Sequence, residues 1–194
     1  MRILGIDPGL ATTGFAVLEM NAKKEKKLLT VGVLRTAAKR PLGERLKEIH
    51  TDISEIIRDY KPSICSIEQI FFSKNVTTGI QVSHARGVII LALEEAGLMV
   101  HEISPSAMKR ALTGDGRADK KAIQKMVMLE LNLKQVPKPD DAADALSLAL
   151  TLAATIRGPH EKQRHSNWTH RPFLIPFSDA RSPLCEFCKT SAPG

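Results

Sequence analysis

Apolar and polar positions along the chain alternate in short periodic stretches divided by turn residues. Ile3 to Ile6 is an apolar run that stops at Asp7-Pro8-Gly9, where proline at i+1 and glycine at i+2 favour a tight turn. Gly14 to Leu18 and Leu29 to Leu34 read as a second and a third strand. Between them Lys23-Lys24-Glu25-Lys26-Lys27 forms a charged hairpin end, either a solvated turn or a basic face for phosphate. Helical spacing takes over from Leu42 to Tyr60, with Leu42, Leu46, Ile49, Ile53, Ile56 and Ile57 on one face, and Pro62 stops it. Ile64 to Ile67 is a short strand that delivers Glu68-Gln69. A helix over about Asn75 to Ala96, a strand from Leu98 to Ile103, and helices near 105–112, 119–132 and 140–156 complete the pattern. A three-strand meander followed by alternating strand and helix predicts an α/β fold, a mixed five-stranded sheet flanked by helices.

The periodicity lapses near Arg157-Gly158-Pro159. Five of the eleven prolines, three histidines and the only Trp follow it, so residues 1–157 read as one domain and 158–194 as a loosely ordered basic extension. A first domain of this length buries enough surface to fold without disulfides. Three cysteines, an odd number, speak against a disulfide framework and for a reducing cytoplasm. The chain enters structure at Arg2-Ile3, leaving no room for a signal peptide, and no apolar run reaches the ~18 residues of a membrane span. With 28 Lys+Arg against 21 Asp+Glu, the net charge of +7 suits an anionic partner.

Four carboxylates sit where elements begin or end. Asp7 closes the first strand, Glu68 closes the fourth, and Asp141 and Asp144, three apart, share one face of the last helix. Carboxylates converging on one sheet edge repel unless cations neutralise them, and paired hard ions such as Mg²⁺ could then hold both attacking and leaving oxygens of a phosphodiester. Other readings stand beside this one. Asp7 before Pro-Gly could stabilise only a turn, and Asp140 and Asp141 after Pro139 suit a helix start, where the macrodipole welcomes negative charge. Asp144 lies on a largely apolar helix and points near the core.

Basic and aromatic residues frame the acids. Phe71 and Phe72 follow Glu68 in a segment that reads as a loop, fitted either to stack on bases or to fill the core. Lys109-Arg110 and Lys120-Lys121 bracket Thr113-Gly114-Asp115-Gly116-Arg117, either a basic loop tracking a phosphate backbone or a solvated linker.

The runs LGIDPGLATTGFAVL at 4–18, IEQIFFSKN at 67–75, HARGVI at 84–89 and DAADALSLAL at 141–150 closely resemble the RuvC family of Holliday-junction resolvases. The resemblance covers about 1–156. It implies a ribonuclease-H-like fold and a homodimer that cuts symmetrically related strands of a four-way DNA junction, with Mg²⁺ (two ions per site, Mn²⁺ able to substitute) and with the RuvA and RuvB branch-migration proteins as partners. Carried over by motif, Asp7, Glu68, Asp141 and Asp144 become the catalytic metal ligands, and Phe71, Phe72, Lys74, Lys109 and Lys120 the DNA-binding residues. Asp140 falls outside the family pattern and is expected to cap the last helix. In the family the helix carrying His84-Ala85-Arg86-Gly87 helps form the dimer, and Gly87, costly within a helix, fits either close approach of a partner or tight packing within the chain.

The extension departs from the family. His165, His170, Cys185 and Cys188 offer a loose zinc half-site, and a dispensable tail is the plainer reading. Rival functions are a phosphate-holding ATPase built on Asp7-Pro8-Gly9, a junction-binding protein without catalysis, and a related nuclease acting on RNA.

Overall fold

The computed structural model describes residues 1–70 and 76–156, with side chains from Gly79 onward in the second helix. Phe71, Phe72, Lys74 and the tail candidates His165, His170, Cys185 and Cys188 lie outside the described residues. The elements run β1 (Arg2–Asp7), β2 (Thr12–Met20), β3 (Lys26–Arg35), α1 (Leu42–Tyr60), β4 (Ile64–Glu68), α2 (Val76–Glu95), β5 (Met99–Ile103), α3 (Pro105–Thr113), α4 (Lys120–Leu131) and α5 (Asp140–Thr155). They build one mixed sheet in the order β3-β2-β1-β4-β5. β1, β2 and β3 pair antiparallel, while β4 and β5 join β1 in parallel. No helix among the described residues is long and apolar enough to cross a membrane.

The hairpin strands run further than their apolar residues. Lys26 and Lys27, expected in the turn, pair with Met20 and Glu19 as the start of β3. Asn21 makes this possible, because its Oδ1 accepts the backbone N–H groups of Lys23 and Glu25 at 2.9 and 3.0 Å and closes the turn within five residues. Leu42, expected on the apolar face of α1, is 42% exposed at the helix start, while Ile49, Ile53 and Ile56 are buried.

Strand alternation sorts side chains onto two helical layers. Leu4, Ile6, Val17, Cys65 and Ile67 pack with Ile49 and Ile53 of α1 and Ala85, Ile89 and Leu93 of α2. Ile3, Ala16, Leu18 and Met20 face the other way, onto Ile123 and Val127 of α4 and the apolar residues of α5. By the same alternation, Asp7 and Glu68 point to the α5 side of the sheet. α5 itself is rich in alanine and lies unusually near β1. A Cβ built on Gly5 would stand 2.2 Å from the carbonyl oxygen of Ala145, so only glycine fits beneath the helix there.

The caps of α3 and α4 were not singled out by periodicity. Ser104 accepts from the N–H of Ala107 at 3.2 Å, and Asp119 Oδ1 from that of Ala122 at 2.8 Å. Replacing Asp119 with Ala should cost about 1 kcal/mol. A urea titration of the variant beside the parent would show the midpoint falling at unchanged slope, and an unmoved midpoint would mean that the cap carries no stability.

Candidate active site

Three elements bring the acids together. β1 and β4 are parallel neighbours, so the carboxylates at their last residues, Asp7 and Glu68, arrive side by side and share a hydrogen bond. α5 starts over the same sheet end and supplies Asp141 and Asp144, whose charges both act on Asp7. The turn after Asp7 is held from below: Thr13 Oγ1 donates to the carbonyl of Gly9 at 2.7 Å, and Thr36 Oγ1 to that of Leu10 at 2.6 Å. Buried Arg45 of α1 in turn donates to Thr36 Oγ1 at 2.8 Å. None of these supports had a signal in hydrophobic period, since each is a polar side chain bonding to backbone or to another support.

The acids disturb one another as like charges in a poorly solvated place must. Burial, then the charges of Glu68 and Asp144, then the hydrogen bond to Glu68 and the charge of Asp141, push the Asp7 carboxyl up to about 8. Glu68 is raised by burial and by Asp144 but lowered by its bond to Asp7. Both carboxyls are thus raised together, and a proton held between them relieves the repulsion of two buried like charges. Asp144 is also raised, by burial first, with Lys120 pulling the other way.

Lys120, the first residue of α4, bridges two acids. Its Nζ lies 3.2 Å from Asp144 Oδ2 and 3.1 Å from Asp140 Oδ2. Burial works against its charge, but the bonds to Asp140 and Asp144 outweigh it and raise the ammonium above its ordinary value. Asp140 is thus not the cap expected of it. Pro139 occupies the capping position with extended backbone (φ −72°, ψ −178°) and no side-chain bond, which places Asp140 inside the first turn and turns its carboxylate to Lys120. Lys109 lies on α3, and among the described residues nothing ties it to the acids.

Among the described residues no three His, Cys, Asp or Glu side chains are gathered closely enough to ligate one ion as they stand. The donor chemistry nevertheless fits a metal. Asp7, Glu68, Asp141 and Asp144 offer only carboxylate oxygen, the choice of hard divalent cations. Asp7 and Glu68 share a proton where such a cation would supply positive charge.

Beside Glu68 a crevice of about 290 Å³ is lined by Gln69, Ile70, Ser83, Arg86, Gly87 and Glu102. Arg86 Nη2 approaches Glu102 Oε1 at 2.7 Å, though among the described residues neither Nε nor Nη2 makes an aligned hydrogen bond. No atom of the described residues lies within 4 Å of a Cβ built on Gly87, so packing within them does not explain that glycine. Ile80 (48% exposed) and Leu91 (52%) share the helix face on which His84 and Gly87 stand open.

Residues 3–152 match the family described as crossover junction endodeoxyribonuclease RuvC. A protein of that name from Brevibacillus brevis is 49% identical over 153 residues, 79% of this chain and 92% of its own. The RuvC structure from Thermus thermophilus superposes with a TM-score of 0.75 at 35% identity, covering 79% of this chain and 94% of the other. The same protein in complex with a Holliday junction substrate gives 0.74 at 34% identity over 78% and 92%.

Proposed function

The chain belongs to the RuvC family of crossover junction endodeoxyribonucleases, and from that premise we propose that Asp7, Glu68, Asp141 and Asp144 are its catalytic metal ligands. It is an endonuclease of DNA recombination and repair with the ribonuclease-H-like fold, acting on four-way junctions. The observation that carries the residue assignment is the convergence of four acids from β1, β4 and α5, with Asp7 pushed up to about 8.

The four carboxylates would hold Mg²⁺, two ions per site, with Mn²⁺ able to substitute. When bound, such ions activate water and neutralise the charge that builds on a scissile phosphate. The residues themselves do the rest. The positive charge of such an ion would favour the ionised form of Asp7, so that both β-strand acids could serve as ligands. Lys120, held by Asp140 and Asp144 beside the acids, would place a cation where phosphate charge builds, and Lys109, Phe71, Phe72 and Lys74 would meet the DNA. The nuclease work belongs to 1–157, with 158–194 an appendage, in the cytoplasm and beside RuvA and RuvB.

Two symmetrical cuts require two sites, and the open Ile80-His84-Gly87-Leu91 face of α2 suits a homodimer across a two-fold axis. Leu91→Asp should shift the sedimenting species from dimer to monomer at micromolar concentration. A dimer of undiminished strength would move the interface elsewhere.

The function is tested on a synthetic mobile four-way junction, with Mg²⁺ and with EDTA, using the parent beside Asp144→Asn. Paired symmetrical nicks that need Mg²⁺ and vanish in the variant are expected. Equal cutting by the variant would remove Asp144 from the ligand set, and cutting of structured RNA in preference to junctions would favour the RNA-processing reading.

A further inference from the structure

We propose that Gly14 is a positioning residue for the metal site: its missing side chain lets the first turn of α5 seat against β2 and sets how far Asp141 stands from Asp7. This rests on the ligand assignment above and adds the residue that spaces the ligands. Gly14 is the cross-strand partner of Asp7 in the β1–β2 register, and it faces α5 as Ala16 and Leu18 do. A Cβ built there would lie 2.0 Å from the carbonyl oxygen of Asp141, 2.5 Å from its carbonyl carbon and 3.2 Å from the nitrogen of Ala142.

All three atoms are backbone, so no rotamer change relieves the clash. A carbon keeps ~3.3 Å from a carbonyl oxygen. One methyl group at Gly14 therefore lifts this turn by about 1.3 Å. The backbone of Gly14 is not in the left-handed region, so alanine meets only the steric obstacle and no torsional one. Gly5 makes the second close approach, one turn further along under Ala145, and its own contact with α5 is untouched by a change at Gly14. The lift thus falls on Asp141, at the end that carries the ligands. A displacement of ~1 Å in a reacting constellation can cost on the order of 100-fold.

The test uses the full-length protein and reads metal affinity without turnover, from the rise of the melting temperature with Mg²⁺ or Mn²⁺ concentration. Gly14→Ala should weaken that affinity by roughly 10- to 100-fold while junction binding in EDTA stays within about threefold. Asp141→Glu adds one methylene to the ligand's reach. In the parent it should weaken the metal, because the helix is already seated; in the Gly14→Ala background it should restore affinity at least in part. A structural role alone predicts additive losses in the double variant, and that result, or an unchanged metal titration in Gly14→Ala, overturns the proposal. Should Gly14→Ala not fold, Asp141→Glu alone decides, since undiminished affinity would show that helix spacing is not limiting. A parent protein that metal does not stabilise at all would instead defeat the ligand assignment itself.

Discussion

Asp7→Asn should lose at least ~10³-fold in junction cleavage while binding the junction within about threefold of the parent. The exchange keeps the shape of the side chain and removes its charge, and Asp7 is the acid that bonds Glu68 while feeling both Asp141 and Asp144. Losses of that order follow removal of a single group that stabilises transition-state charge in other enzymes. Binding survives because affinity for DNA comes mostly from cations on phosphates, and none of these is altered. A gel assay with Mg²⁺, paired with a binding titration in EDTA, measures both. Cleavage within tenfold of the parent would take Asp7 out of the metal site, and binding lost together with cleavage would make it a structural residue.

The second large effect is on stability and depends on pH. In metal-free protein Asp7 holds its proton up to about 8, against 3.8 for an ordinary Asp. Folding therefore takes up a proton between those values, and this contribution to stability is complete below about 4 and lost as pH rises through about 8. Glu68 and Asp144, raised as well, act with the same sign. Melting in EDTA should accordingly fall from pH 5 to 8.5 more steeply for the parent than for Asp7→Asn, with the variant the more stable at pH 8. If Mg²⁺ binds as proposed it would compete with this proton, so the stabilisation it brings should grow over the same window. Parallel melting curves for the two proteins would mean that Asp7 ionises normally. On these expectations, the residue proposed as essential for cutting is one whose ionisation weakens the metal-free fold.

Much of this could be read in the sequence, for identifiable reasons. Strands and helices are legible where burial imposes a period, as along Ile49, Ile53 and Ile56, and the motifs single out the four acids whose charges meet at Asp7. What escaped depends on tertiary contact. The charged Lys26-Lys27 joined a strand because Asn21 tightened the turn. Asp140 missed its capping role because proline, with φ fixed, took that place. The protonation of Asp7 arises only when residues 61 positions apart end adjacent strands. The space required at Gly14 and the open surface at Gly87 are equally silent, since glycine in a sequence does not say what lies beside it.

The seating of α5 also bears on the order in which the protein can be made. The helix covers the sheet face formed by Ile3, Ala16 and Leu18, and it is the last described element to leave the ribosome. Until it emerges, a nascent chain carries a sheet with one apolar side partly bare and only half of its acids. Synthesis halted before Asp140 would leave a polypeptide prone to aggregate and unable to bring Asp141 and Asp144 to Asp7 and Glu68. The protein thereby acquires its capacity to cut DNA only once nearly the whole domain has been translated.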